Sequence, residues 1–234
     1  MSVLGTFSKG IKEAVSLNFC ESGGKYCSKQ CQHHPINKGS CYSIRFEHCY
    51  PSYGKHLKNK EKMLPLHILR EARKEFLKKA EKIRWFRFSV SGSIPPLGSV
   101  SNGFKKELKE FVNILKANKV PIHIPVETKS KAVSYTKLLG KSAVVRWSCK
   151  KKEQFLSYDE ACSYVSGMNI ITGKNILKRR LIEAKLVVKE KNLINKCRKN
   201  GRTAFVCAAQ SVGSKCGKCV LCSLPLVDVV YMKH

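Results

Sequence analysis

From Pro65 onward apolar residues recur at helical spacing, at Ile68, Ala72, Phe76, Ala80 and Ile83, and a proline at the head of the run suits a first helical turn. The stretch RWFRFSV follows as a strand with Phe86, Phe88 and Val90 on one face, and SGSIPPLGS then breaks the chain with glycines and prolines. The pattern repeats. Phe104, Leu108, Phe111 and Leu115 mark a second amphipathic helix, and VPIHIPV alternates strictly through Val120, Ile122, Ile124 and Val126. Pro121 and Pro125 cannot donate to a ladder, so this strand is expected at an edge or with those nitrogens turned from a neighbour. A short helix over 130–139 stops at Gly140, and AVVRWSC is the next strand. Further helices are expected around 157–166 and 174–192, then the apolar runs AFVCAA (204–209) and LVDVVYM (226–232), the latter a closing strand.

Helices alternating with about six strands predict an α/β fold, with repeated helix–strand units forming a mainly parallel sheet or a partial barrel. Residues 18–60 carry no sustained period, which predicts a long irregular loop held by ligands. The organisation expected is a Cys/His-rich segment over 1–64 packed on an α/β body over 65–203, with a cysteine cluster and closing strand over 204–234, all in one compact domain.

Composition adds a partner. Of 234 residues, 45 are Lys or Arg and 16 Asp or Glu, giving a net charge of +29, while 43% are hydrophobic. That apolar content argues against a disordered polycation, and the charge draws the chain to phosphate polymers by counterion release. The excess concentrates in 54–84 and 174–202, with Arg73, Lys78, Lys79, Lys174, Lys178, Arg179, Arg180 and Lys185 as candidate nucleic-acid contacts. Neither segment has the Trp/Phe-rich face of an interfacial helix, no run reaches the roughly 18 apolar residues of a membrane span, and the N-terminus lacks a signal peptide's apolar run. A cytoplasmic protein with nucleic acid, not membrane, as partner is the expectation.

Twelve cysteines in such a chain point to metal before disulfides. CGKCVLC places Cys216, Cys219 and Cys222 at CxxCxxC spacing, with Cys207 nine positions upstream as a fourth thiolate, an arrangement open to either zinc or an iron–sulfur cluster. Near the N-terminus, Cys20, Cys27, Cys31, His33, His34, Cys41, His48 and Cys49 offer more donors than one site needs. Cys27, Cys31 and His34 form the sharper CxxxCxxH pattern, with Cys20 as a further candidate.

The CxxxC loop, then FSVSGSIPP, then a helix, then HIPVET resembles the opening half of a radical S-adenosylmethionine barrel. The resemblance implies that Cys27, Cys31 and a third ligand hold a four-iron cluster, and that the turn at Ser91 and Gly92 contacts S-adenosylmethionine. His34 stands where that family has its third cysteine, and Ser91 to Pro95 lacks the acid of the family's GGEP stretch. In layout the chain also resembles the phage and plasmid "gene product eighty-eight" domain family, which implies a mobile-element context, a host-cell cytosol location and a metal-bearing α/β body.

Ser91, Glu127 and Ser148 fall at strand ends, where α/β proteins place ligands. Glu127 reads either as a cofactor contact or as a cap or partner of a nearby lysine. Three functions follow: a metal-bearing nucleic-acid binder, a radical-type enzyme acting on nucleic acid or another polyanion, and a zinc hydrolase using Glu21 or Glu47 as base. The HxE…CxxC spacing of zinc deaminases is absent.

Overall fold

Strands β1 (Leu4–Ser8) and β2 (Ile11–Leu17) form an antiparallel hairpin at the start of the chain, with a register shift between Thr6 and Ser8. The computed structural model describes residues 3–8, 11–29, 36, 42–89, 93–149, 152–165, 192, 202–207, 219 and 221–231. These belong to two compact units, Met1–Val145 and Arg146–His234.

In the first unit the expected irregular stretch is partly regular: helices α1 (Tyr42–Cys49) and α2 (Pro51–Glu61) occupy its second half. The loop expectation over 18–60 fails at 42–49 and 51–60. Pro51 at the first helical position pre-sets the backbone for α2, and Leu57 supplies a buried anchor that a weak apolar period hides. Helix α3 (Pro65–Leu77) leads to strand β3 (Trp85–Phe88), helix α4 (Asn102–Ala117) to strand β4 (Ile122–Val126), and helix α5 (Lys129–Leu139) follows, all at the expected places. Local chemistry fixes the ends: the Ser101 hydroxyl accepts from Phe104 N–H at 3.2 Å, Thr128 caps α5, and Gly140 ends it at φ 55°.

The order in this unit is β1-β2-β3-β4, with β2, β3 and β4 mutually parallel. Pro121 stands just before β4 and pairs through its carbonyl, which accepts from Phe86 N–H at 3.0 Å. Phe111 of α4 meets Phe76 of α3 and Phe86 and Phe88 of β3, with ring centroids 5.9, 5.3 and 6.3 Å away. All four rings are buried, so the 3.6 period of the helices and the 2.0 period of the strand converge on one core.

The second unit takes up strand β5 (Val144–Cys149), whose first two residues belong to the first unit. Helix α6 (Lys152–Leu156) and strands β6 (Cys162–Val165), β7 (Thr203–Val206) and β8 (Val227–Tyr231) complete its described elements. Its order is β5-β6-β8-β7, every described pair parallel. The helix expected over 157–166 is therefore corrected to a turn and β6. Tyr158, Ala161, Cys162 and Val165 do fall at helical spacing, but pairing with β5 and β8 outweighs that local pattern. Tyr158 instead meets Trp147 edge-on at 5.1 Å. The segment 174–192 lies outside the described residues except for Asn192.

Each unit is thus α/β with mainly parallel strands. Among the described residues no helix is long and apolar enough to cross a membrane.

Candidate functional site

Because β2, β3 and β4 run parallel, the segments that leave them emerge at one end of the sheet. β2 delivers Cys20 and, within the following turns, Cys27. β3 delivers Ser89, held at φ 55°, and then Ser93. β4 delivers Glu127.

Cys20 is fully buried, its sulfur accepting from Ser93 N–H at 3.4 Å and lying 3.7 Å from Ser93 O. Cys27 is half-buried; Gly23 N–H donates to its sulfur at 3.3 Å. The two thiols hydrogen-bond to each other. That bond draws Cys20 below the ordinary thiol range against the opposing effect of burial. The same bond, with burial second, pushes Cys27 far above it. The two shifts thus run in opposite directions from one shared contact.

Glu127 knits the surrounding segments together. Its Oε2 accepts from the Ser93 hydroxyl at 2.6 Å, while Oε1 accepts from Ser28 N–H at 3.1 Å and from Lys131 Nζ at 2.6 Å. Lys131 is itself buried, and its Nζ also lies 2.8 Å from Tyr26 O, 2.9 Å from Ser93 Oγ and 3.0 Å from Ile94 O, so three protons serve four acceptors. Tyr135 closes the back of the group, donating to Pro95 O at 2.6 Å, and burial followed by the Glu127 charge raises its phenol well above the ordinary range. Glu127 therefore does what the plainer sequence reading expects, partnering a lysine, and it also anchors the cysteine-bearing loop through Ser28.

Two adjacent cysteine sulfurs suit a soft metal. The other expected donors of this group, Cys31 and His34, lie outside the described residues, as do Ser91 and Gly92. Among the described residues no group of three or more His, Cys, Asp or Glu could hold a metal ion. Of the flanking carboxylates, buried Glu47 accepts from Ser22 N–H at 3.1 Å and from Ser22 Oγ at 2.8 Å, and Glu21 lies 3.9 Å from Lys58.

In the second unit, Cys216 lies outside the described residues, and Cys207, Cys219 and Cys222 are half-buried. Cys207 follows β7 and donates its N–H to Val230 O at 2.9 Å, while the Cys222 sulfur lies 3.4 Å from the Tyr231 hydroxyl. Both cysteines thus attach to the end of β8. Fully buried Arg146 holds the turn after Cys219: its guanidinium donates to Cys222 O at 3.1 Å, Leu224 O at 3.3 Å, Val227 O at 2.7 Å and Cys162 O at 2.8 Å. Asp228, also buried, lies 3.8 Å from Arg146 and takes two 2.9 Å bonds from Arg202. Ser148 is exposed and lies 3.5 Å from the Ser163 hydroxyl.

Of the candidate phosphate contacts, Lys78 and Lys79 are exposed, whereas Arg73 is engaged by α4, 2.7 Å from Glu107 and 3.7 Å from Glu110. Lys174, Lys178, Arg179, Arg180 and Lys185 lie outside the described residues. Sequence reasoning missed Ser93, Lys131, Arg146 and Asp228. A signal existed for two of them: Lys131 stands four residues after Glu127, and Arg146 is a charge inside an apolar strand. Comparison of the chain with family models, curated proteins and solved structures gives no match.

Proposed function

We propose that this chain is a basic, thiolate-metal protein that binds nucleic acid, of the kind a phage or other mobile element encodes and acting in the cytoplasm. The observation that carries the metal part is that Cys20 and Cys27 leave the same strand into one loop, Cys20 against Ser93 and the loop anchored by Glu127 through Ser28. Cys31 and His34 complete the donor set in this reading, and Cys207, Cys216, Cys219 and Cys222 form a second site, each holding zinc or an iron–sulfur cluster. The long Cys/His-rich segment and the C-terminal cluster are then metal-folded parts of the α/β body. The net charge of +29 supports nucleic acid as partner. Metal analysis of anaerobically purified protein tests it: two sites' worth of metal is expected, falling by one site's content (one zinc, or the iron of one cluster) in Cys20→Ser/Cys27→Ser and separately in Cys216→Ser/Cys219→Ser/Cys222→Ser. Full metal in both variants would refute it.

One observation favours a second reading, a radical S-adenosylmethionine-like enzyme on a partial barrel: the cysteine loop, the Ser89–Pro95 segment and Glu127 leave three adjacent parallel strands at one end. In that reading Ser91, Gly92 and Glu127 face the cofactor. Release of 5′-deoxyadenosine from S-adenosylmethionine by reduced wild type, and not by Cys27→Ala, would favour it over the binding function.

A further inference from the structure

The turns that enter β3, β4 and β5 carry an excess of positive charge. The connection 78–84, ahead of β3, holds Lys78, Lys79, Lys82 and Arg84 against Glu81 alone, the connection 118–121 ahead of β4 holds Lys119, and 140–143 ahead of β5 holds Lys141. All six cations are exposed, and none takes part in an ion pair among the described residues. The loops at the other end differ: over 18–29, 93–101 and 127–128, Lys25 and Lys29 are balanced by Glu21 and Glu127.

Topology gathers these connections at one sheet end. Helices α4 and α5 pack back along β4, so their C-terminal ends return to the end where the strands start. Parallel strands lie about 4.8 Å apart, so connections entering neighbouring strands start side by side at this end. A nucleic-acid strand presents a phosphate about every 3.4 Å, so an end carrying six cations can meet several phosphates of one strand.

Lys119 adds an independent sign. It follows the C-cap of α4 at φ 56°, the left-handed position that helices normally give to glycine. A lysine held there keeps a cation at a conformational cost that glycine would avoid, as residues kept for function do.

We propose that the end of the first unit where β3, β4 and β5 begin is the nucleic-acid docking edge, opposite the cysteine-bearing end. The proposal rests on the nucleic-acid reading above and names its surface. The five residues of β4 separate the two ends by about 16 Å, so a polymer on the edge lies away from Cys20 and Cys27.

The test is titration of a fluorescent 30-base-pair duplex of arbitrary sequence at several salt concentrations. It compares wild type, Lys82→Glu/Lys119→Glu/Lys141→Glu, and an equal charge reversal elsewhere on the unit, Lys55→Glu/Lys62→Glu/Lys106→Glu. The edge variant is expected to lose at least tenfold in affinity and to flatten the log–log salt slope by about 2 to 3, from three lost contacts at about 0.9 each. The second variant should lose less than threefold. Lys119→Gly guards against a folding artefact: its thermal midpoint should hold or rise while its affinity falls. Equal losses in the two triple variants, or tighter binding of wild type to anionic vesicles than to duplex, would overturn the proposal. Failure of wild type to bind duplex or single strand would instead refute the nucleic-acid reading itself.

Discussion

Lys131 Nζ sits 2.6 Å from Glu127 Oε1, one helical turn away, with only 7% and 14% of the two side chains exposed. The pair joins β4, the segment after β3 and the cysteine loop in a single polar group. Glu127→Gln removes the charge opposite a buried ammonium, and breaking a pair in this way costs on the order of 3 kcal/mol. Urea denaturation should show the loss. Glu127→Gln/Lys131→Met, which removes both charges, should recover part of it.

Arg146 offers a second check. Lysine there keeps the charge but cannot fork to the carbonyls of Cys162, Cys222, Leu224 and Val227. Arg146→Lys should destabilise by about 2 to 4 kcal/mol, since the abandoned carbonyls are buried acceptors. It should also expose Cys222, read as faster alkylation by a thiol reagent.

Stability should depend on pH through Lys60. Burial, opposed by the Glu75 charge, lowers its ammonium from 10.5 to about 8. Below pH 8 both folded and unfolded chains carry the proton and the folded chain bears the full penalty. Between about pH 8 and 10.5 only the unfolded chain is protonated, so stability rises with pH, by a total of roughly 3 kcal/mol at about 1.4 kcal/mol per pH unit. In Lys60→Met the rise over that window should be lost, which chemical denaturation at pH 7.5, 9 and 10 would show.

Metal removal should act on folding. A chelator strong enough to strip thiolate sites is expected to lower the wild-type thermal midpoint, because metal binding free energy becomes folding free energy. With Cys20 and Cys27 replaced by serine, the part of that shift owed to the first site should vanish. An unchanged shift would move the metal to the other cysteines.

The α/β body was legible because each element carries its own period. Phe104, Leu108, Phe111 and Leu115 are all buried on α4, and Gly140 ends α5 as expected. The hairpin β1/β2 was not legible. Its strands interleave Lys12, Glu13 and Gly5 with the apolar positions, and their place is set by pairing with β3. Nor was β6, whose four residues take their state from neighbours on both sides. At the site, the CxxxCxxH spacing singles out Cys27 with Cys31 and His34, and Cys20 enters only as a further candidate. Ser93 and the further contacts of Lys131 take their roles when segments 34 and 105 residues apart are brought together.

The order β5-β6-β8-β7 has a consequence for synthesis on the ribosome. Strand β8 is made after β7 yet lies between it and β6, so β7 emerges without its partner and waits for residues 227–231. Arg146 waits longer, since its acceptors at Cys222 and Val227 lie 76 and 81 positions downstream. Until they appear, a cation destined for the interior stays hydrated and two strand edges stay open to stray pairing. Ribosome-bound chains stopped before residue 227 should therefore hold the first unit folded while the second remains sensitive to protease.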